Sequence, residues 1–303
     1  MTDATNIEEI QRLLAGQRYV ADRSLAVSIA LALKLHKPLF LEGEAGVGKT
    51  EVAKVLAQGL HRRLIRLQCY EGLDVSHALY EWNYAKQILH IRLREGQHRE
   101  GSAAQTEREI FGPEFLIKRP LLQAIEDSDE QPAVLLIDEI DRADEEFEAF
   151  LLEILSDFQV TVPEIGTFTA KQVPIVILTS NRTREIHDAL KRRCLYYWID
   201  YPDIERESEI VESKVPGVGT RLAREACAYV AALRAEPFFK HPGIAETIDW
   251  ARALVALGRT SLDERVVIDT IGCVLKYQED VKRAREAGAS ARLEHARKVA
   301  ATA

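Results

Sequence analysis

The residues best suited to chemistry are Gly43, Glu44, Ala45, Gly46, Val47, Gly48, Lys49 and Thr50, which fit a glycine, four residues, then Gly-Lys-Thr. A triphosphate crowds negative charge onto oxygens that need donors. A glycine-rich turn lets successive backbone N–H groups converge on them with no Cβ in the way. In such a phosphate loop Lys49 reaches the outer phosphates and Thr50 offers its hydroxyl to Mg2+. Glu51 follows in the first turn of a helix whose positive dipole end faces the same phosphates. The ligands this predicts are ATP and ADP with Mg2+.

A second group lies downstream, where the apolar run 133–137 ends at once in Asp138 and Glu139. A strand of a parallel sheet is buried on both faces and opens at its carboxyl end onto the ligand crevice, where an acidic pair can meet a metal and a water. Asp138 is expected to hold the Mg2+ shell. Glu139 is expected to orient or deprotonate the water that attacks the γ-phosphate. A further apolar run, 174–180, ends in Asn181, a neutral polar residue that can hold a water or touch the γ-phosphate without adding charge. Arg192 and Arg193 close the helix that starts at Asp188. Basic residues suit a helix C-terminus in any case, so capping is the competing reading for both.

These groups need elements to position them. Pro38–Leu41 reads as a short buried strand, and Val52, Ala53, Val55, Leu56 and Leu60 recur at helical spacing after the loop. Strands are also expected at 64–67, 133–137, 174–180 and 196–201, with helices at 6–14, 24–35, 115–128 and 147–157. Residues 159–173 alternate around Pro163 and Gly166 like a protruding hairpin. Between 70 and 108 lies an insert. Tyr80, Trp82 and Tyr84 form either a core cluster or a partner-facing element, 88–93 alternates in polarity, and 94–108 reads as a surface loop. Tyr19 reads first as a core aromatic and only second as a partner for adenine. Past Pro202 the pattern is helical alone, at 206–213, 220–235, 244–257, 263–278 and 281–299. A boundary near 202 therefore divides a nucleotide-binding core, 1–202, from a helical lid, 203–303.

Composition narrows the partners. Of 303 residues 47% are hydrophobic and the formal net charge is −8, which disfavours a broad phosphate-neutralising surface and makes nucleic acid an unlikely main partner. Cys69, Cys194, Cys227 and Cys273 are far apart and form no Cys-x-x-Cys pair, against zinc fingers and disulfide frameworks. No apolar run approaches the roughly 20 residues that span a bilayer, and the N-terminus lacks a basic start and apolar core. A cytoplasmic protein is expected.

The phosphate loop, Leu-Leu-Ile-Asp-Glu, the strand ending in Asn181, the Arg192-Arg193 pair and the helical tail together resemble an AAA+ ATPase. Gly-Glu-Ala-Gly-Val-Gly-Lys-Thr, Leu-Leu-Ile-Asp-Glu-Ile-Asp-Arg-Ala at 135–143 and the hairpin before Asn181 resemble, more narrowly, the MoxR family. Tyr80 to Arg92 and Arg-Arg-Cys-Leu-Tyr-Tyr-Trp are similar to the CoxD-type members that accompany aerobic carbon monoxide dehydrogenase. The resemblance implies an α/β fold: an αβα core with a five-stranded parallel sheet, followed by a smaller all-α lid. It also implies a homo-oligomer closing into a hexameric ring. Its activity would be ATP-driven remodelling of a client metalloenzyme, alongside a von Willebrand factor A domain protein. Asn181 then matches the first sensor, and Arg193 the finger that reaches a neighbour's ATP, with Arg192 the runner-up. Two departures stand out. Thr-Ser-Asn at 179–181 replaces the more usual Thr-Gln-Asn, and no second-sensor arginine opens the lid helix near 244–250, where Glu246 stands and Arg252 comes one or two turns later. The competing functional classes are a nucleic-acid motor built on the same core and a small-molecule kinase.

Overall fold

The structure is a computed structural model that describes residues 6–96, 109–126, 131–286 and 288–302. Five parallel strands make the main sheet: β1 (Leu39–Gly43), β2 (Leu64–Gln68), β5 (Val134–Asp138), β8 (Ile175–Ser180) and β9 (Leu195–Ile199), in the order β2-β5-β8-β1-β9. β5 is buried along its whole length because both of its neighbours are parallel strands and helices cover both faces, which is why it is a continuous apolar run. The register pairs Gln68 with Asp138 and Glu42 with Ser180. The carboxyl ends of β1, β5 and β8 therefore share one edge of the sheet.

By internal contacts the chain divides into two compact units. The first comprises Met1–Ile10, Arg23–Glu42 and Ala53–Tyr197; the second comprises Gln11–Asp22, Gly43–Val52 and Trp198–Ala303. In the first, α6 (Pro120–Glu126) packs on β2 and β5, and α7 (Glu145–Asp157) packs on α8 (Asp188–Arg193). The Asp144 carboxylate caps α7 by accepting from Phe147 N at 2.8 Å. The expected hairpin is present as β6 (Gln159–Val162) and β7 (Gly166–Thr169), paired antiparallel.

Between 70 and 126 the structure adds one element and moves the start of another. The alternating stretch 88–93 lies within a helix, α5 (Tyr84–Gly96), which follows α4 (Val75–Ala78) and β3 (Tyr80–Trp82). Alternation of polarity favours a strand only where a sheet partner exists. β3 instead pairs with β4 (Leu116–Lys118), and α5 buries Gln87, whose amide donates to Ile110 O at 2.6 Å. The helix expected from 115 starts only at Pro120, which suits a first helical turn, because Leu116–Lys118 is committed to β4. Of the aromatic trio, Trp82 is core, packed edge-on against Phe111 at 5.1 Å, while Tyr84 is exposed. The surface loop expected at 94–108 lies outside the described residues from 97 onward; Arg94 belongs to α5 and pairs with Glu109.

The second unit carries the helical tail: α9 (Ile204–Lys214), α10 (Thr220–Arg234), α11 (Ile244–Ala256), α12 (Glu264–Thr270), α13 (Gln278–Glu286) and α14 (Ser290–Thr302). Their core gathers Leu222, Tyr229, Trp250, Leu254, Val267 and Leu293, and the Trp250 indole N–H donates to Thr270 Oγ1 at 2.7 Å. The helix expected over 263–278 ends at Thr270 and continues only as a short 3-10 turn through Ile271–Cys273. The helix expected over 281–299 is two helices, separated at Gly288, whose φ of +78° suits a residue without Cβ.

Candidate nucleotide site

The phosphate loop leaves the end of β1 and enters α3 (Lys49–Gly59). Gly46 and Gly48 sit at φ +80° and +96°, left-handed values that turn the backbone N–H groups inward at little cost only for glycine. Val47 anchors the turn in the interior, while Glu44 and Gly46 face solvent and Thr50 is half-buried at the helix start. Lys49 is buried at 6% exposure, and its ammonium donates to Gly43 O at 2.8 Å and Glu44 O at 2.6 Å. The side chain is thus extended across the loop it would serve. Tyr19 lies against Gly48: a Cβ there would meet its ring at 3.8 Å. Glu51 takes an ion pair from Lys214 of α9 at 2.9 Å.

The start of α11 closes on this loop through backbone atoms. Ile244 N and Ala245 N donate to Gly46 O at 3.1 and 3.3 Å. The Glu246 carboxylate caps the helix by accepting from Gly243 N at 2.9 Å, and its Oε2 would lie 3.2 Å from a Cβ on Gly46. Where an arginine was expected there is therefore a carboxylate engaged with its own helix, and Arg252 pairs with Asp249 at 3.3 Å. A Cβ on Gly243 would stand 2.6 Å from Ala45 O and 2.9 Å from Gly46 Cα, both of them backbone. Gly243→Ala is expected to push α11 off the loop, lower stability by about 1–3 kcal/mol and weaken nucleotide binding. Thermal melts with and without ATP check both effects; unchanged melting in both would remove any need for this close approach.

The acidic group belongs to the first unit. The Asp138 side chain, 2% exposed, ends β5, and its two oxygens are held separately. Thr179 Oγ1 donates to Oδ1 at 2.6 Å, and Arg66 of β2 donates to Oδ2 from Nε at 3.0 Å and from Nη2 at 2.5 Å. Glu139 follows at φ +55°, a left-handed conformation that costs a non-glycine residue on the order of 1 kcal/mol and turns its side chain off the strand direction. Its N–H donates to the same Thr179 hydroxyl at 3.0 Å, and its carboxylate accepts from Arg142 at 3.2 Å. Asn181 is half-buried just past β8. Its N–H donates to the buried Asp141, which also takes Thr183 N at 2.9 Å and Thr183 Oγ1 at 2.7 Å, so Asp141 shapes the turn that presents Asn181.

Arg192 and Arg193 end α8, just before the edge strand β9, and both are exposed. Arg192 pairs with Asp188 one turn back at 3.1 Å, whereas among the described residues Arg193 makes no ion pair. Buried Cys69, beside Asp138, Asp141 and Glu139, has its thiol pushed up to about 12 by burial and then by those carboxylates, so it stays protonated and inert.

Sequence reasoning missed Arg66, Thr179 and Asp141. A charged residue inside the strand Leu-Ile-Arg-Leu-Gln was a signal for the first; the other two depend on which strands adjoin.

Hard oxygen donors, the Thr50 hydroxyl and the Asp138 carboxylate, suit Mg2+, which takes only one or two protein ligands and fills its shell with phosphate oxygens and waters. Among the described residues no group of three or more His, Cys, Asp or Glu could hold a metal alone. Each donor, taken by itself, is of the kind that suits a metal arriving with a nucleotide.

A glycine-rich loop between strand and helix, with an acidic pair at the end of another strand of the same parallel sheet, defines a P-loop nucleotide-binding protein. Residues 38–194, more than half of the chain, match the family model described as AAA domain (dynein-related subfamily), and the chain belongs to that family. It is a nucleotide-binding ATPase. No curated protein matches it. Among solved structures it is similar to the RuvB Holliday junction branch migration motor of Thermotoga maritima, at 17% identity over 88% of this chain and 71% of that one (TM-score 0.44). The P216G mutant of that motor matches at 16% identity over 91% and 72% (TM-score 0.47). A Cytophaga hutchinsonii protein described as a candidate ATPase matches at 15% over 98% and 94% (TM-score 0.48). Among the described residues no helix is long and apolar enough to cross a membrane.

Proposed function

We propose that this ATPase is a MoxR-type remodeller of partner proteins, built from a core of residues 1–202 and a lid of 203–303. Bound Mg2+ would supply charge neutralisation for the phosphates. Backbone N–H groups of 43–50 cradle the phosphates, and Lys49 moves from the carbonyls of Gly43 and Glu44 to their oxygens. Thr50 and Asp138 would hold the metal, and Tyr19, beside Gly48, would border the nucleotide. Glu139 accepts the proton of the attacking water, Asn181 orients that water or the γ-phosphate, and Arg193 acts on the site of a neighbour in a hexameric ring. Arg192 is the weaker finger candidate because Asp188 already takes its charge.

The observation that carries a protein client rather than nucleic acid is chemical. On α5 Tyr84, Ile88, Leu89 and Leu93 are all more than half exposed, apolar surface suited to polypeptide and not to phosphate backbone. The finer assignment, a cytoplasmic CoxD-type member working with a von Willebrand factor A domain protein on a client metalloenzyme, rests on the motif resemblance. The free thiols Cys69, Cys194, Cys227 and Cys273 support the reducing compartment.

Unfolded casein is expected to stimulate ATP turnover of the intact chain, and the Ile88→Ser, Leu89→Ser variant is expected to lose that stimulation while keeping basal turnover. Stimulation by single- or double-stranded DNA that falls with rising salt, with none by casein, would favour the nucleic-acid motor instead.

A further inference from the structure

We propose that Arg66 is a latch on Asp138, a built-in cation that holds the carboxylate until a divalent metal displaces it. The inference rests on the reading of Asp138 as the metal ligand. A carboxylate 2% exposed is costly to leave ionised without compensation. Arg66 provides that compensation on Oδ2 through two donors, while Thr179 ties down Oδ1. The two strands fix the pairing: β2 and β5 are neighbours, and Arg66 lies two residues before Gln68, the register partner of Asp138. A guanidinium and a divalent cation on one carboxylate are like charges a few ångströms apart, so the two compete.

The latch has somewhere to go. The Arg66 side chain is 48% exposed and also donates to the Gln68 amide oxygen, so it can swing towards solvent without crossing the packed interior. Thr179 stays on Oδ1 throughout and keeps the carboxylate aimed. Arg66 is thus a positioning residue when no metal is present and an opponent of the metal when it is.

Two effects of opposite sign follow for Arg66→Gln. The nucleotide-free protein should melt at a lower temperature, because a buried carboxylate loses a charged partner. The apparent Mg2+ affinity of the ATP-bound protein should rise roughly tenfold, because the guanidinium no longer has to be displaced. Arg66→Lys, which keeps the charge and loses the two-donor grip, should fall between. The measurement is Mg2+ titration of fluorescent ATP-analogue binding in the full chain carrying Glu139→Gln, read as binding and not as turnover, with melting curves alongside. In an Asp138→Asn background Arg66→Gln should add nothing to the Mg2+ dependence; an unchanged tenfold gain there would mean a long-range field and would overturn the latch. A lower or unchanged Mg2+ affinity in Arg66→Gln would overturn it as well, and would make Arg66 a purely structural partner. If Asp138→Asn alone leaves the Mg2+ requirement intact, it is the assignment of the metal ligand that fails, a separate result.

Discussion

Glu139→Gln is expected to bind ATP as the wild type does and to hydrolyse it about 10²- to 10⁴-fold more slowly, the range that a positioned general base contributes. The amide keeps the shape of the side chain and loses the group that accepts a proton. Local geometry should survive the change, because the left-handed backbone at Glu139 is held by its N–H on Thr179, a bond the substitution does not touch. The ion pair with Arg142 is half-exposed at 3.2 Å and contributes little to the fold, so its loss should not confuse the result. Filter binding of ATP and phosphate release under single-turnover conditions separate binding from chemistry. Turnover within a few-fold of wild type would place the water-activating group elsewhere, and Asp141 would not be the replacement, since its carboxylate is occupied by Asn181 and Thr183.

Arg193→Ala is expected to leave ATP binding intact and to lower turnover by about 10³ to 10⁵, the worth of an arginine supplied to a transferring phosphoryl group from a neighbouring subunit. Arg193 is the candidate because it ends α8 beside the edge strand β9 with no partner of its own among the described residues, whereas Arg192 folds back onto Asp188. A head-to-tail contact that repeats around a ring would bring this edge to the next phosphate loop. Complementation makes the test specific. Lys49→Ala subunits cannot use ATP but still offer Arg193; Arg193→Ala subunits keep an intact loop. Mixing the two inactive proteins should restore hydrolysis at interfaces that pair a good loop with a good finger. Mixed assemblies that form and remain silent would rule out Arg193 as a trans-acting group. Recovery with Arg192→Ala subunits in place of Arg193→Ala, but not with the latter, would move the role to Arg192.

Much of the candidate site was legible because the chemistry proposed for it is local. The phosphate loop needs glycines at particular places in one short turn and a lysine at the start of the next helix. Gly43 to Thr50 therefore announce themselves in eight consecutive residues, and Gly46 and Gly48 take the backbone angles that glycine alone adopts cheaply. Asp138, Glu139 and Asn181 were legible for a related reason: they end or directly follow doubly buried parallel strands, and such strands show as unbroken apolar runs. The helical tail was visible in its 3.6-residue periodicity, although its breaks at Ile271–Cys273 and Gly288 were not.

Tertiary structure alone decided the rest, because those features depend on neighbours distant in the chain. Alternation at 88–93 assigned no element by itself, and the structure makes it part of α5, with Trp82 in the core and Tyr84 outside it. That Thr179 serves Asp138 and Glu139 together, and that Arg66 grips Asp138, follow from β5 lying between β2 and β8, an order no local pattern encodes. The docking of Gly243 and Glu246 onto Gly46 joins residues about two hundred positions apart. A motif can specify a turn through its own backbone angles, but a contact between strands or between a loop and a remote helix is set only when the whole core has chosen its packing.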